Sequence, residues 1–488
     1  MLIGFVIAYL LVSIGVGLYA ATRVRNTADY VAAGRHLPLY IVTATVFATW
    51  FGSETVLGIS ATFIDEGLRG LWSDPFGASL CLILVGLFFA RPLYRMNLLT
   101  LGDYYRLRYG RTVEVLCSIA IVVSYLGWVA AQITALGLVF NILSDGAITN
   151  EAGMMIGAAV VLVYTLFGGM WSVALTDFMQ MIVIIAGLFY IAWLVGDMAG
   201  GVGTVVSHAN AAGKLNFLPA LDPADIIAFL AGILTMGFGS IPQQDVFQRL
   251  NSARDEKIAV RGTLLGGSGY FLFAFVPLFI AYSATLIDPE LVARYQQSDS
   301  QHVLPQLILA HTPLFAQVMF FGALLSAIMS TASGTLLAPS VTFSENILRG
   351  TFRHLDDRQF LLLTRIIVVA FALLITWYAT YTEETIHGMV ENAYKVTLAT
   401  AFVPLAFGLY WKRASTQGAL VSILAGLVVW VLLEIAAPDA DVPPHFAGML
   451  AGIVGMIAGS LLPQTLVKPV HGHVAAHLQT QHQSHAGR

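Results

Sequence analysis

The sequence predicts an all-α polytopic membrane protein, and three observations carry that prediction. Composition is the first: 57% of the residues are hydrophobic and 11% charged, with a mean hydropathy of +0.78, whereas soluble domains carry about a quarter charged residues. The second is the length of the apolar runs. About thirteen stretches approach the roughly 20 residues needed to cross a hydrocarbon core, near 2–21, 38–63, 74–92, 114–143, 152–168, 173–197, 223–246, 262–287, 310–345, 361–381, 386–410, 417–436 and 445–463. The third is the lack of strand-like alternation within them, which disfavours a transmembrane β-barrel.

The first stretch starts at Met1 without a basic leader and runs into TRVRNTADYVAAGR rather than a small-residue cleavage site. It reads as a retained helix. The second holds VFATWFGSETVLG, Val46 to Gly58, where Gly52 and Ser53 stand beside Glu54 in mid-span. Polar groups at such a depth line cavities or ion paths, and a loosened backbone is tolerated only where its freed groups find partners. Between the fifth and sixth spans lies YTLFGGMWSVALTD, Tyr164 to Asp177. Asp177 falls near the start of the sixth span, where a carboxylate either complements the helix dipole or lies on an ion route.

The seventh span carries TMGFGSIPQQDVF, Thr235 to Phe247, interrupted by Gly237, Gly239 and Pro242 before Gln243 and Gln244. It lies five helices after the second and crosses in the opposite sense. That is the pattern of an inverted five-plus-five repeat whose leading helices are discontinuous and enclose a site near the midplane. In the ninth span, SAIMSTASGT gathers the hydroxyls of Ser330, Thr331 and Ser333. Small residues of this kind serve close helix packing or offer neutral oxygens to a small cation. Glu391 and Lys395 in the eleventh span are spaced to form an i, i+4 ion pair.

The 24 Lys and Arg residues fix an expected orientation. With the N-terminus outside, twenty of them fall in the segments 22–37, 91–113, 247–261, 346–365, 411–416 and the tail. Three occupy outer loops: Arg69, Lys214 and Arg294. This follows the positive-inside rule and places the C-terminus in the cytoplasm of a cell whose inner membrane holds the chain. The basic residues are segregated by side rather than gathered in a stripe, so the net charge of −4 gives no reason to expect a nucleic-acid partner. Cys81 and Cys117 both sit in or beside apolar helices and suggest neither a disulfide nor a transition-metal site. The histidine-rich tail, HGHVAAHLQTQHQSHAGR, reads as a solvated end, with regulatory metal binding as the alternative.

From TADYVAAGR (Thr27 to Arg35) to GLYWKR (Gly408 to Arg413), the chain resembles the sodium:solute symporter family. YTLFGGMWSVALTD and SAIMSTAS are the most specific segments. The resemblance implies a leucine-transporter-like fold in which residues 38–410 form the core, with repeats at about 38–200 and 223–410. Residues 1–37 would be a flanking helix and loop, 411–464 two further flanking helices, and 465–488 a cytoplasmic tail. It also implies a sodium site built from the carbonyls of Ala48, Phe51 and Ala327 and the hydroxyls of Ser330 and Thr331, with Asp177 on the inner sodium route. No organic cofactor is implied.

Within that family the local sequence resembles the choline-transporter branch, in TATVFATW, LILVGLFFARP and Trp128. Trp50 and Trp128 correspond to two walls of an aromatic cage for a quaternary ammonium, or serve packing. Ala78 and Gln243 stand where that branch has a tyrosine and a tryptophan. With Ser53, Glu54, Thr55 and Asp74, these positions suggest a small polar or amine-bearing solute. The expected function is sodium-coupled symport of such a solute. A proton-coupled transporter using Glu54, Asp177 or Glu391, and a non-transporting sensor of the same fold, are the alternatives. No phosphate-binding glycine loop or H-E-x-x-H spacing points to an enzyme.

Overall fold

In the computed structural model, residues 2–352 and 354–465 are described, so the histidine-rich stretch of the tail lies outside the described residues. Every regular element among the described residues is helical, apart from one isolated bridge. The principal helices are α1 (Leu2–Ala21), α2 (Leu39–Trp50), α3 (Ile59–Glu66), α4 (Ala78–Leu84), α5 (Leu101–Tyr109), α6 (Arg111–Leu143), α7 (Asn150–Met198) and α8 (Pro223–Gly239). They continue as α9 (Gln244–Asn251), α10 (Glu256–Ile287), α11 (Leu314–Thr342), α12 (Asp357–Tyr381), α13 (Ile386–Thr400), α14 (Phe402–Tyr410), α15 (Thr416–Ala436) and α16 (Pro444–Leu461).

Nine helical runs among the described residues are long and apolar enough to cross a membrane, or up to eleven if each bent pair is one span, against the thirteen or so expected. The shortfall falls where a run is long or broken. The 49-residue α7 would be about 74 Å long at 1.5 Å per residue, more than twice a hydrocarbon core. It is interrupted at Gly169 (φ 49°, ψ −138°), whose position against the Tyr30 backbone leaves no room for a side chain.

Both breaks expected from sequence are present. α2 stops at Trp50 and the chain resumes through a π-helical turn, Glu54–Gly58, into α3. α8 stops at Gly239, and α9 leaves it at 50° after Ser240–Gln243, with Pro242 in the gap. A third break, between α13 and α14, bends by 46° and divides a span expected to be continuous. Its cause is Pro404, which lacks the N–H that would bond the Thr400 carbonyl and whose ring crowds it. Three buried tyrosines of α5 donate to carbonyls around that break: Tyr105 to Ala401 (2.9 Å), Tyr109 to Pro404 (2.8 Å) and Tyr104 to Leu405 (3.3 Å).

The discontinuous helices sit in the interior. α2 packs between α10, α7 and α11, while α8 packs on α13, and α1 lies against α7 and α11. Just before α2, Leu37 pairs with the chain just after α9, donating to Ser252 O and accepting from Arg254 N at 3.0 Å each. The start of one broken helix is thereby tied to the end of the other. α15 and α16 form a pair that touches the rest mainly through α13.

Candidate functional site

The break after α2 places its backbone against α11 and α6. Gly52 is essential to that approach, because a Cβ there would lie 2.5 Å from Thr331 Oγ1 and 2.9 Å from Gln132 Oε1. The freed Ser53 N–H donates to Gln132 Oε1 at 2.9 Å, so α6 satisfies a donor that the interrupted helix leaves over. Ser330 Oγ lies 2.9 Å from the Ala48 carbonyl and 2.7 Å from Asp177 Oδ1, and Thr331 Oγ1 lies 3.4 Å from the same carbonyl. Thr45 donates to the other Asp177 oxygen.

This cluster has more oxygen than hydrogen. The hydroxyls of Ser330, Thr331 and Thr45 carry one hydrogen each, one for each of the Ala48 carbonyl and the two Asp177 oxygens, while every one of these six oxygens keeps lone pairs that no donor fills. A small hard cation would satisfy the surplus lone pairs, and oxygen donors are what such ions prefer. The donor set therefore fits sodium. Phe51 caps α2 beside Ala48, and Ala327 lies one turn before Thr331 in an unbroken part of α11; both are fully buried. Asp177 is not at a helix start. It lies two turns beyond Gly169, inside continuous helix, so the capping alternative is overturned.

Next to the ion cluster is an aromatic one. Trp50 is stacked on Tyr394 at 6.1 Å and set edge-on to Trp128 at 5.6 Å, while Trp128 stacks on Tyr125 at 5.9 Å. Tyr270 meets Trp50 at 6.5 Å, bonds Thr55 at 3.2 Å and donates to Asp74. Trp50, Thr55 and Asp74 are thus brought together through a tyrosine that sequence reading did not single out. Gln243 Nε2 donates to Ser124 (3.0 Å) and Thr397 (3.3 Å), one turn from Trp128 and from Tyr394 respectively. Glu54 points to His387 Nδ1 at 3.1 Å. Ser53 Oγ is buried without a partner.

Two expectations from sequence are corrected. Glu391 is not paired with Lys395; its nearest basic partner is His387, one turn before it, at 3.9 Å. Arg249, counted among the inner-loop residues, is 1% exposed and lies in the protein interior. His387, Tyr270, Tyr394, Tyr125 and Gln132 were missed. An isolated histidine or glutamine carries no local pattern, and the tyrosines are scattered over three helices.

The sodium:solute symporter family model matches residues 30–426. This chain belongs to the sodium:solute symporter family. The human High affinity choline transporter 1 is 28% identical over 442 residues, covering 87% of this chain and 75% of the transporter. The High-affinity proline transporter PutP of Bacillus subtilis (strain 168) is 26% identical over 462 residues, 90% of this chain and 94% of that protein. In structure, the chain resembles a Na+-coupled sialic acid symporter in its substrate-bound outward-open state, with a TM-score of 0.79 at 18% identity over 96% of this chain and 99% of the other. The symporter is accordingly a membrane transporter with a leucine-transporter-like inverted repeat, not an enzyme, and sodium-coupled solute import is its function.

Proposed function

We propose that this symporter imports a small amine-bearing metabolite, an amino acid or a related amine, bound where the α2 break meets the Trp50, Trp128 and Tyr394 rings. The observation that carries the reading is the contiguity of two sites on one break. Ala48 turns its carbonyl to the Ser330 and Thr331 hydroxyls, and Trp50, two residues on, belongs to the aromatic cluster. Aromatic faces attract ammonium groups by about 0.5–2 kcal/mol. A cavity of about 670 Å³ beside His387 supports a cationic group. Its lining holds six carboxylates, Asp65, Glu66, Asp299, Glu383, Glu384 and Glu391, with His387 and no Lys or Arg, and a cleft in which one charge sign predominates concentrates ions of the other.

Sodium, held by Ala48, Phe51, Ala327, Ser330 and Thr331, fixes the break in the shape that the solute needs. Linkage then requires the solute to raise sodium affinity by the same factor. With both bound, the core rocks, and sodium leaves past Asp177 to the cytoplasm, where the positive-inside bias puts the C-terminus. One sodium moving through 100 mV supplies about 2.3 kcal/mol, enough for roughly a fiftyfold solute gradient.

The test is heat stability of the purified protein with and without sodium, over a panel of choline, betaine, proline, other amino acids, sugars and acetate. Sodium should stabilise the native chain and not the Ser330→Ala, Thr331→Ala double variant. An amine should add to that only with sodium present. If a sugar or acetate does so and no amine does, the solute assignment is wrong.

A further inference from the structure

Arg249 has the largest of the deeply buried side chains, and the transport scheme gives it no role. Its Nε donates to Thr49 Oγ1 at 2.9 Å, and its Nη1 to the Asp245 carbonyl at 3.1 Å. Nη2 is buried with no partner and presses on Gly334, where any side chain would collide with it. Thr49 bonds the Thr45 carbonyl (2.7 Å), and the Thr45 hydroxyl bonds Asp177, which in turn faces Ser330. A chain of contacts therefore runs from the guanidinium through Thr49 and Thr45 to Asp177 and the ion cluster.

Burying an uncompensated charge is expensive, so interiors of this kind approach electrical balance. The charged groups that the contacts of this network join are Asp177 on α7 and Asp245 and Arg249 on α9; Glu54, which faces His387, and Asp74, which accepts from Tyr270, lie on the aromatic side of the break and are counted with the solute. Asp245 accepts from Tyr125 on one oxygen, and its other oxygen is buried without a partner. Two carboxylates and one guanidinium leave one negative charge, which one sodium ion cancels. A second sodium would leave the interior with an unmatched positive charge.

We propose that Arg249 is the resident counter-charge of the sodium site, a tethered cation that compensates Asp177 so that one sodium ion, and not two, binds there. This rests on the sodium-coupled reading and specifies its ion count. Arg249 is a positioning residue: it touches the Thr49 hydroxyl on α2 and acts on the ion through the network. Gly334 is required because the guanidinium fills the space next to it.

The experiment is equilibrium binding of radioactive sodium to the purified full-length protein, with Ser330→Ala, Thr331→Ala as the blank. The native chain should bind one ion that the blank loses. Arg249→Gln should take up a second ion, with half-saturation moved to lower sodium by about tenfold, the size of one modest charge interaction. Arg249→Lys, which keeps the charge, should stay near the native curve. A purely structural arginine would behave differently, with Arg249→Gln weakening sodium binding and Lys failing to rescue it.

Two ions on the native chain, both lost in the blank, would overturn the proposal, as would a folded Arg249→Gln protein that binds one ion with unchanged or weaker affinity. If Arg249→Gln does not fold, the native ion count decides. No sodium binding to the native chain at all would strike the sodium-coupled reading itself, a different result from the failure of the count.

Discussion

At the break after α2, the Ala48 carbonyl faces the Ser330 and Thr331 hydroxyls, and Ser330 also faces the Asp177 carboxylate, a set of oxygens with lone pairs to spare. At the break after α8, the Gly239 carbonyl accepts a 2.6 Å hydrogen bond from Thr397, and the Gln243 amide donates to Ser124 and Thr397. Gln244 Oε1 there accepts the Leu101 N–H at 2.8 Å. Both breaks interrupt a helix in the interior, yet one is rich in acceptors and the other is stitched by donors from Gln243 itself and from the neighbouring α13 and α5. A helix interruption is thus not an ion site by itself. Its neighbours decide whether the freed oxygens go to a cation or to the protein.

The sharpest way to break this comparison is Gly52→Ala. The added methyl would push Thr331 and Gln132 away from the first break. Overpacking of this kind costs about 1–3 kcal/mol, so sodium activation of uptake should weaken by roughly five- to 150-fold. A sodium titration in proteoliposomes checks it. Next in size is Thr397→Val, which leaves the Gly239 carbonyl and one Gln243 donor unpaired. An unsatisfied buried group costs about 1–3 kcal/mol, so denaturation should come earlier while half-saturation by sodium stays at its native value. If sodium affinity fell instead, the two breaks would not be divided into ion and scaffold roles.

A smaller effect is expected from Trp50→Leu. It removes a ring worth about 0.5–2 kcal/mol to an ammonium, raising the half-saturating amine concentration by about two- to thirtyfold. Sodium binding measured without solute should change little. The smallest belongs to Tyr105→Phe at the third break, where one hydrogen bond of about 0.5–1.5 kcal/mol is lost and only thermal stability should register it.

The sequence disclosed the first two breaks because glycine and proline mark them directly, at Gly52 and at Gly239 and Pro242. Pro404 gave the same signal in the eleventh span, but the apolar run around it reads as continuous and hid the bend. Ser330, Thr331 and Asp177 were legible as a group through their family resemblance, and the structure brings them together. Partners remote in sequence were not legible. His387 reaches Glu54 across 333 positions, and Tyr270 reaches Asp74 across 196. The i, i+4 spacing of Glu391 and Lys395 misled, because a histidine one turn earlier faces the carboxylate instead.

The short helix α9 has a consequence for how the chain enters the bilayer. Its sequence, QDVFQRLN, is polar at five of its eight positions, and every residue is buried. An aspartate or arginine at the centre of an inserting helix costs about 2.5–3.5 kcal/mol, so this segment has no reason to leave water for lipid alone. Its partners Thr49, Tyr125 and the N–H of Leu101 all belong to the first third of the chain and are synthesised before it. The earlier helices α2, α5 and α6 therefore serve as the polar receptacle into which α9 is delivered, and membrane insertion of α9 is a folding event rather than a partitioning one.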